Sequence, residues 1–222
     1  MITLDELLSD VERHFAQRSP DLTLWPDPHP AGVSPAEEEY SRVTHPERYR
    51  ILGARADAWL AALVRHGLAT TRSVDPPDLR WEVPPRTVMS SAVVASPVAE
   101  GAAQLVVVRC AIDGIEDTGI SLGFADPTIW VGAFPDCGCD ACDNGAQHDL
   151  DTLDEHLTSM VTGQFRRLVR KKEQITLLGD GTWSAASTRS PEKLAAVVAN
   201  PTGWRDVGGA PWLGSAAQGG DN

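Results

Sequence analysis

Residues 105–134 read LVVVRCAIDGIEDTGISLGFADPTIWVGAF, and this stretch decides the fold class. It contains three β-rich segments, at residues 105–112, 118–124 and 128–134. Turn-forming pairs such as Asp113-Gly114 and Asp126-Pro127 separate them. These connections are too short for parallel strands, whose crossovers take a dozen or more residues. The stretch therefore predicts the end of an antiparallel β meander that spans residues 78–134.

The sequence before the meander, residues 1–68, is predicted to be mainly helical. Thr3 and Glu6 form a capping-box pattern, and apolar residues at helical spacing follow it. Several prolines exclude regular structure from residues 19–33. A longer helix with a continuous apolar stripe then ends near Gly67, which is a typical helix C-cap residue.

The sequence after the meander returns to helical spacing. We expect one long helix over residues 149–172, because acidic residues open it and basic residues close it, as the helix dipole favours. Its basic end consists of Arg166, Arg167, Arg170, Lys171 and Lys172. A hairpin and a short helix are predicted over residues 173–200, and a glycine-rich tail over residues 206–222. Together these elements predict a single α+β domain over residues 1–205, with an antiparallel sheet packed against the helices.

The charge balance restricts the classes of partner. The chain has 222 residues, with 19 Lys and Arg against 31 Asp and Glu, which gives a net charge of −12. Nucleic acid and anionic membranes bind cationic surfaces, so we expect neither as a partner and expect a protein instead. The acidic N-terminus and the lack of a long apolar run predict a cytoplasmic protein without a membrane span.

The residues between the meander and the long helix form a cysteine loop, residues 135–148, and carry the most informative motif. Cys137, Cys139 and Cys142 lie within six residues, and thiolates at such spacing are typical zinc ligands. Three thiolates leave one tetrahedral position, for which the candidates are His148, Cys110, a carboxylate such as Asp143, and water. We predict a Zn²⁺ site formed by Cys137, Cys139, Cys142 and His148. The alternatives are reduced thiols without a metal, and redox chemistry or another soft metal such as copper.

The fourth cysteine and one serine motif have simpler interpretations. The alternation of a strand places Cys110 on the same face as Val106 and Val108, which predicts a buried thiol in the core of the sheet. The string GISLG at residues 119–123 matches a nucleophile elbow, but an elbow requires a helix after the serine. Here a strand continues and then turns, so we do not expect a serine hydrolase.

Three strings together resemble one known group of proteins. They are WPDPHP at residues 25–30, EYSRVTHPERYR at residues 39–50 and FPDCGCDACD at residues 134–143. They are similar to a family of uncharacterised proteins from high-GC bacteria, and the cysteine loop is the most specific part of the likeness. The resemblance implies membership of that family and transfers no catalytic residue.

These observations favour a non-catalytic, zinc-stabilised domain for protein interaction or regulation. One alternative is a zinc-dependent enzyme of the hydrolase type, with an open metal position near Asp126, Asp140 or His148. Another is an acidic inhibitor or immunity-type protein that mimics nucleic acid, which depends on the charge alone.

Overall fold

The computed structural model describes residues 2–19, 21–31, 33–179 and 181–214, and these contain four α-helices and nine β-strands. The helices are α1 (Leu4–Arg18), α2 (Arg50–Arg65), α3 (Ala146–Val161) and α4 (Pro191–Ala199). The strands are β1 (Ala69–Val74), β2 (Met89–Pro97), β3 (Leu105–Ile112), β4 (Ile115–Phe124), β5 (Ile129–Phe134), β6 (Arg166–Arg170), β7 (Glu173–Leu177), β8 (Trp183–Ala186) and β9 (Arg205–Gly208).

The predicted meander is present as a five-stranded sheet in the order β1-β2-β3-β4-β5, with every neighbouring pair antiparallel. Its register pairs Leu105 of β3 with Phe124 of β4, and Ile120 of β4 with Phe134 of β5. The predicted α+β class is therefore confirmed. The sequence did not predict β1, because its residues are mostly exposed and lack the alternation that marks a half-buried strand.

The C-terminal hairpin of β7 and β8 belongs to a second, four-stranded sheet in the order β8-β7-β6-β9. The sequence did not predict the other two strands. The residues of β6 were predicted to be helical, and most of those of β9 were assigned to the tail. Asp180, in the predicted turn of the hairpin, lies outside the described residues.

The prediction of one helix over residues 149–172 is wrong in its second half, because α3 ends at Val161. Gly163 follows with a φ of +72°, a conformation that favours glycine and ends helices. A Cβ atom on Gly163 would also lie 2.6 Å from the backbone nitrogen of Pro211. The basic residues predicted for the helix end therefore lie in β6 and in the turn that follows it.

The tail predicted from residue 206 is also wrong over its first part. Strand β9 pairs with β6, and the Trp212 side chain is only 2% exposed. The backbone N–H of Trp212 donates a hydrogen bond of 2.8 Å to the carbonyl oxygen of Val161. Trp212 stands among small residues in the sequence, so no apolar pattern indicated that it contributes to the core. Residues 215–222 lie outside the described residues.

Helices α1, α2 and α3 share one hydrophobic core with the first sheet, and the fully buried Trp59 of α2 is among its largest side chains. The capping box of α1 is confirmed, since the backbone N–H of Thr3 donates to Glu6 and that of Glu6 donates to Thr3 Oγ1. Within the described part of the chain, none of the helices is long and apolar enough to cross a membrane.

Residues 19–49, which we call the linking segment, connect α1 to α2 with little regular structure. Its described residues contain two short 3-10 helices, Glu37–Ser41 and Pro46–Tyr49. A segment of this kind needs contacts from elsewhere to hold it, and the cysteine loop supplies them.

Candidate metal centre

The cysteine loop connects β5 to α3 and brings three sulfur atoms together. The Sγ atoms of Cys137, Cys139 and Cys142 all lie within 4.8 Å of one another, and those of Cys137 and Cys139 are 3.2 Å apart. Zinc bonds of about 2.3 Å in a tetrahedron place two sulfur ligands about 3.8 Å apart. The three thiols therefore fit a single metal ion of this kind with small adjustments.

The backbone of the loop favours a thiolate at Cys139. Asp140–Cys142 forms a 3-10 turn that directs the N–H groups of Cys142 and Ala141 toward the Cys139 sulfur. Burial raises the pKa of Cys139, but hydrogen bonds from Cys137, from Cys142 and from these N–H groups outweigh burial and lower it. The hydrogen bond with Cys139 raises the pKa of Cys142 to about 12. Cysteine ligates metals as the thiolate, so these hydrogen bonds favour the form of Cys139 that could hold a metal.

Gly138 lets the loop approach the sheet. A Cβ atom at this position would lie 2.5 Å from Cγ2 of Ile112 at the end of β3. Any side chain here would push the cysteine pair away from the strand, so the close approach of loop and sheet requires glycine.

Asp140 ties the cysteine loop to the linking segment. Its carboxylate accepts hydrogen bonds from Arg42 Nε at 2.6 Å, from the Thr44 backbone N–H at 2.7 Å and from Thr44 Oγ1 at 2.6 Å. Burial raises the pKa of Asp140, but the bonds from Arg42 and Thr44 outweigh it and lower it to about 2. This carboxylate is an ion-pair partner, which removes it from the acids available for catalysis at a metal.

Asp143 makes the second tie, and its side chain is only 1% exposed. Its oxygens accept hydrogen bonds from Trp25 Nε1 at 2.9 Å and from the Gly145 backbone N–H at 2.9 Å, and Arg48 Nη2 lies 2.9 Å away. The Arg48 guanidinium also stacks 5.0 Å from the ring centre of Trp25 and of Tyr49. Through these contacts Asp143 holds the cysteine loop against the linking segment.

The remaining candidate residues from the sequence, His148, Cys110 and Asp126, are not among the three grouped donors of the described residues. His148 lies in the first turn of α3, and among the described residues it is not one of the donors within 4.8 Å of the others. Cys110 packs with Val106 and Val108 in a separate part of the core, as predicted, and burial raises the pKa of its thiol. Asp126 is 52% exposed and lies 3.8 Å from Arg80.

A cavity of about 520 Å³ adjoins the cluster. Cys137, Cys142 and His148 line it together with Asp149 and His156 of α3. Burial raises the pKa of Asp149 to about 6, and its Oδ2 atom has no hydrogen-bond partner in the described part of the chain. The sequence indicated Asp149 only as an acidic residue at a helix start, and no local pattern reveals that one of its carboxylate oxygens is buried.

The serine motif is structural, as expected. Ser121 is fully buried in the middle of β4, and its Oγ accepts a hydrogen bond of 2.8 Å from Trp130 Nε1. No helix follows it, so the exposed nucleophile of an elbow is absent from this position.

We predict that Asp143→Ala destabilises the protein by about 2–3 kcal/mol, because it leaves Trp25 Nε1 and Arg48 without their buried partner. Chemical denaturation measures the change, and limited proteolysis reports release of the linking segment. The matched control is Asp136→Ala, which removes an exposed carboxylate from the same loop and should cost under about 0.5 kcal/mol. Equal effects of the two substitutions would contradict this role of Asp143.

Comparison with known proteins gives one match. A family model described as "Family of unknown function (DUF6226)" matches residues 11–216. No curated protein and no solved structure matches the chain. The expected membership of an uncharacterised family is confirmed, while the expected bacterial origin stays a prediction. The three strings that carry the resemblance also meet in space, because Asp140 and Asp143 bind Arg42, Trp25 and Arg48.

Proposed function

Because the chain belongs to this family of unknown function, we propose its role from the geometry of the cysteine loop. The protein is a non-catalytic, zinc-stabilised domain whose metal holds the cysteine loop in the shape that binds the linking segment. The observation that carries this proposal is the close approach of three sulfur atoms in a loop from which Asp140 and Asp143 bind the linking segment.

Zinc is the metal that the donor set favours. Thiolates suit zinc, copper(I) and iron–sulfur clusters, and a mononuclear site with three sulfurs and one nitrogen is a common structural zinc site. We propose His148 as the fourth ligand, since it shares a cavity with Cys137 and Cys142 and lies in the first turn of the helix that follows the loop. A reducing cytoplasm would keep the thiols available for the metal.

The contacts of the aspartates near the cysteines agree with a structural role for the metal. A hydrolytic metal site needs a carboxylate or histidine that is free to move a proton. Asp140 and Asp143 are both held by cationic and N–H donors of the linking segment. Two of the three acids that adjoin the cysteines in sequence therefore support the loop, and the third, Asp136, is exposed.

For the partner, we propose a protein with a basic contact surface. The net charge of −12 supports this choice, because complementary charge accelerates association and discourages binding to nucleic acid. An acidic inhibitor would be a special case of the same interaction, and its binding would weaken steeply with salt.

The second candidate function is a zinc enzyme, and the cavity beside the cluster favours it. The cavity holds Asp149, His148 and His156, and Asp149 has an unpartnered oxygen atom. In this alternative water occupies the fourth metal position and His148 remains free to act on a substrate.

Metal analysis of His148→Ala separates the two candidates. We expect one zinc per wild-type chain, and a zinc affinity that falls in the variant by more than the roughly 10–100-fold that loss of an outer-shell partner costs. Gln147→Ala, at the exposed neighbouring position, is the matched control and should keep the wild-type affinity. Competition with a chromogenic chelator measures the affinity.

The remaining outcomes count against specific parts of the proposal. Unchanged affinity in His148→Ala, together with a spectrum of the cobalt-substituted protein that shifts when azide is added, would favour the open site of an enzyme. Wild-type protein that takes up no zinc or cobalt under reducing conditions would overturn the metal proposal as a whole.

A further inference from the structure

A second cavity, of about 560 Å³, lies between the two sheets, away from the cysteine loop. We call it the inter-sheet cavity. Its walls come from residues 82–86, from β5 and from the second sheet. The larger apolar residues of the lining are Val83, Pro84, Pro85, Ile129, Trp130 and Val169.

Arg167 of β6 lines this cavity and is only 7% exposed. Its Nη2 donates hydrogen bonds of 2.8 Å to the carbonyl oxygen of Trp130 and to Gln174 Oε1, and its Nη1 contacts Thr176 Oγ1. All three partners are neutral. No carboxylate of residues 2–19, 21–31, 33–179 or 181–214 forms an ion pair with Arg167.

The isolation of this charge is unusual in the molecule. Arg55, which is similarly buried, is paired with the carboxylates of both Asp154 and Glu12. A buried cation without an anion carries an uncompensated desolvation cost, and burial lowers the pKa of Arg167 to about 10. Three of the five guanidinium N–H groups serve its neutral partners. The other two have no hydrogen-bond partner among the residues that the structure describes.

The surroundings of Arg167 are also cationic. Arg86, Lys171 and Lys172 line the same cavity, which thereby receives two of the three lysines of the whole chain. Glu82 is the acidic residue of the lining, and its carboxylate is already paired with Arg205 at 2.5 Å. A concentration of positive charge in a protein of net charge −12 focuses the local field on anions.

The apolar walls determine what else the ligand needs. Trp130 is 36% exposed, and its indole N–H is anchored by Ser121 Oγ at 2.8 Å, which fixes the plane of the ring. Prolines at positions 84 and 85 add rigid apolar surface. A fixed aromatic ring beside a buried guanidinium suits a ligand that has both an apolar body and one acidic group.

We infer that the inter-sheet cavity binds a small organic anion, with its carboxylate, sulfonate or phosphate group on Arg167 and its apolar body against Trp130. Lys171 and Lys172 at the exposed turn attract the anion toward the opening. The site contains no residue of the cysteine loop, so this inference does not depend on the zinc proposal.

Calorimetric titration of the full chain with naphthalene-2-sulfonate tests the inference. We expect saturable binding at one site, which 2-naphthol and inorganic sulfate reproduce only weakly because each supplies one of the two required features. Arg167→Met should weaken binding at least about 10-fold, as the loss of hydrogen bonds to a charged group implies. Arg166→Met is the matched control, since Arg166 is the preceding strand residue and is paired with Asp206. It should change the affinity less than about 2-fold, because a screened surface charge contributes little.

A second pair of variants guards against misfolding, because Arg167 also connects β5 to the second sheet through Trp130. Lys172→Glu reverses a charge at the opening and should weaken binding at least about 3-fold, whereas Lys193→Glu on α4 should leave it unchanged. Absence of binding to the wild-type chain would overturn the inference. So would equal losses of affinity within each pair of variants.

Discussion

Replacing Cys139 by alanine should abolish stoichiometric zinc binding and lower the melting temperature by roughly 8–16 °C. The reason is linkage, because a metal that binds only the folded chain contributes about 4 kcal/mol when its free concentration is 1,000-fold above Kd. In a protein of this size each kcal/mol shifts the melting temperature by about 2–4 °C. Elemental analysis and thermal unfolding at fixed free zinc measure the two effects.

Cys110→Ala is the matched control for this experiment. Cys110 and Cys139 are both buried thiols, at 4% and 8% exposure, but Cys110 lies in β3 within a different part of the core. Its replacement should keep the zinc and cost only the packing of one sulfur atom. A Cys139→Ala protein that carries as much zinc as Cys110→Ala would contradict the proposed ligand set.

Chelation gives an independent check on the same claim. Removing zinc from the wild-type chain should lower its melting temperature to that of Cys139→Ala and should leave that variant unchanged. It should also expose the linking segment to protease, because Asp140 and Asp143 hold that segment only while the loop keeps its shape. If the chelator changes neither the melting temperature nor the cleavage pattern of the wild-type chain, no metal supports the fold.

The parts of the fold that were predictable from the sequence are those set by short-range chemistry. Alternating residues and short turns determine the meander of β2 to β5, and the capping box of Thr3 and Glu6 determines the start of α1. The cysteine cluster belongs to the same class, because three thiols within six residues meet with little help from the rest of the chain. In each case the partners are close in sequence, so a local pattern carries the information.

The parts that were not predictable depend on partners far along the chain. The end of α3 is set by Gly163 against Pro211, and the strand character of residues 166–170 by pairing with β7 and β9. The sequence of residues 149–172 fits one long helix with a basic end as well as it fits a shorter helix followed by a strand. Only the distant contacts distinguish the two. The isolation of Arg167 is hidden in the same way, because the sequence places it in a run of surface-like charges.

Replacing Asp154 by alanine should destabilise the protein by about 3–5 kcal/mol, the usual effect of removing one partner from a buried ion pair. The sequence suggested only an acid near a helix start, whereas the structure makes Asp154 the centre of a network between α2 and α3. Its carboxylate accepts bonds from Trp59 Nε1 at 2.7 Å and from Arg55 Nε at 2.9 Å, and Arg55 Nη2 lies 2.5 Å away.

The second acid on Arg55 supplies the matched control. Glu12 of α1 also reaches the guanidinium, at 2.5 Å, but its side chain is 65% exposed. Glu12→Ala should therefore cost under about 1 kcal/mol, because water replaces an exposed partner easily. Denaturant titration of both variants measures the difference, and equal losses of stability would contradict the central role of Asp154.

A double substitution separates the ion pair from the packing around it. Asp154→Leu with Arg55→Met removes both charges and keeps apolar volume between α2 and α3, so it should recover most of the stability that Asp154→Ala loses. Trp59 Nε1 would remain without an acceptor, which sets the residual loss at about 1–3 kcal/mol. If the double variant is no more stable than Asp154→Ala, the cost comes from lost packing, and the stranded charge of Arg55 is not its source.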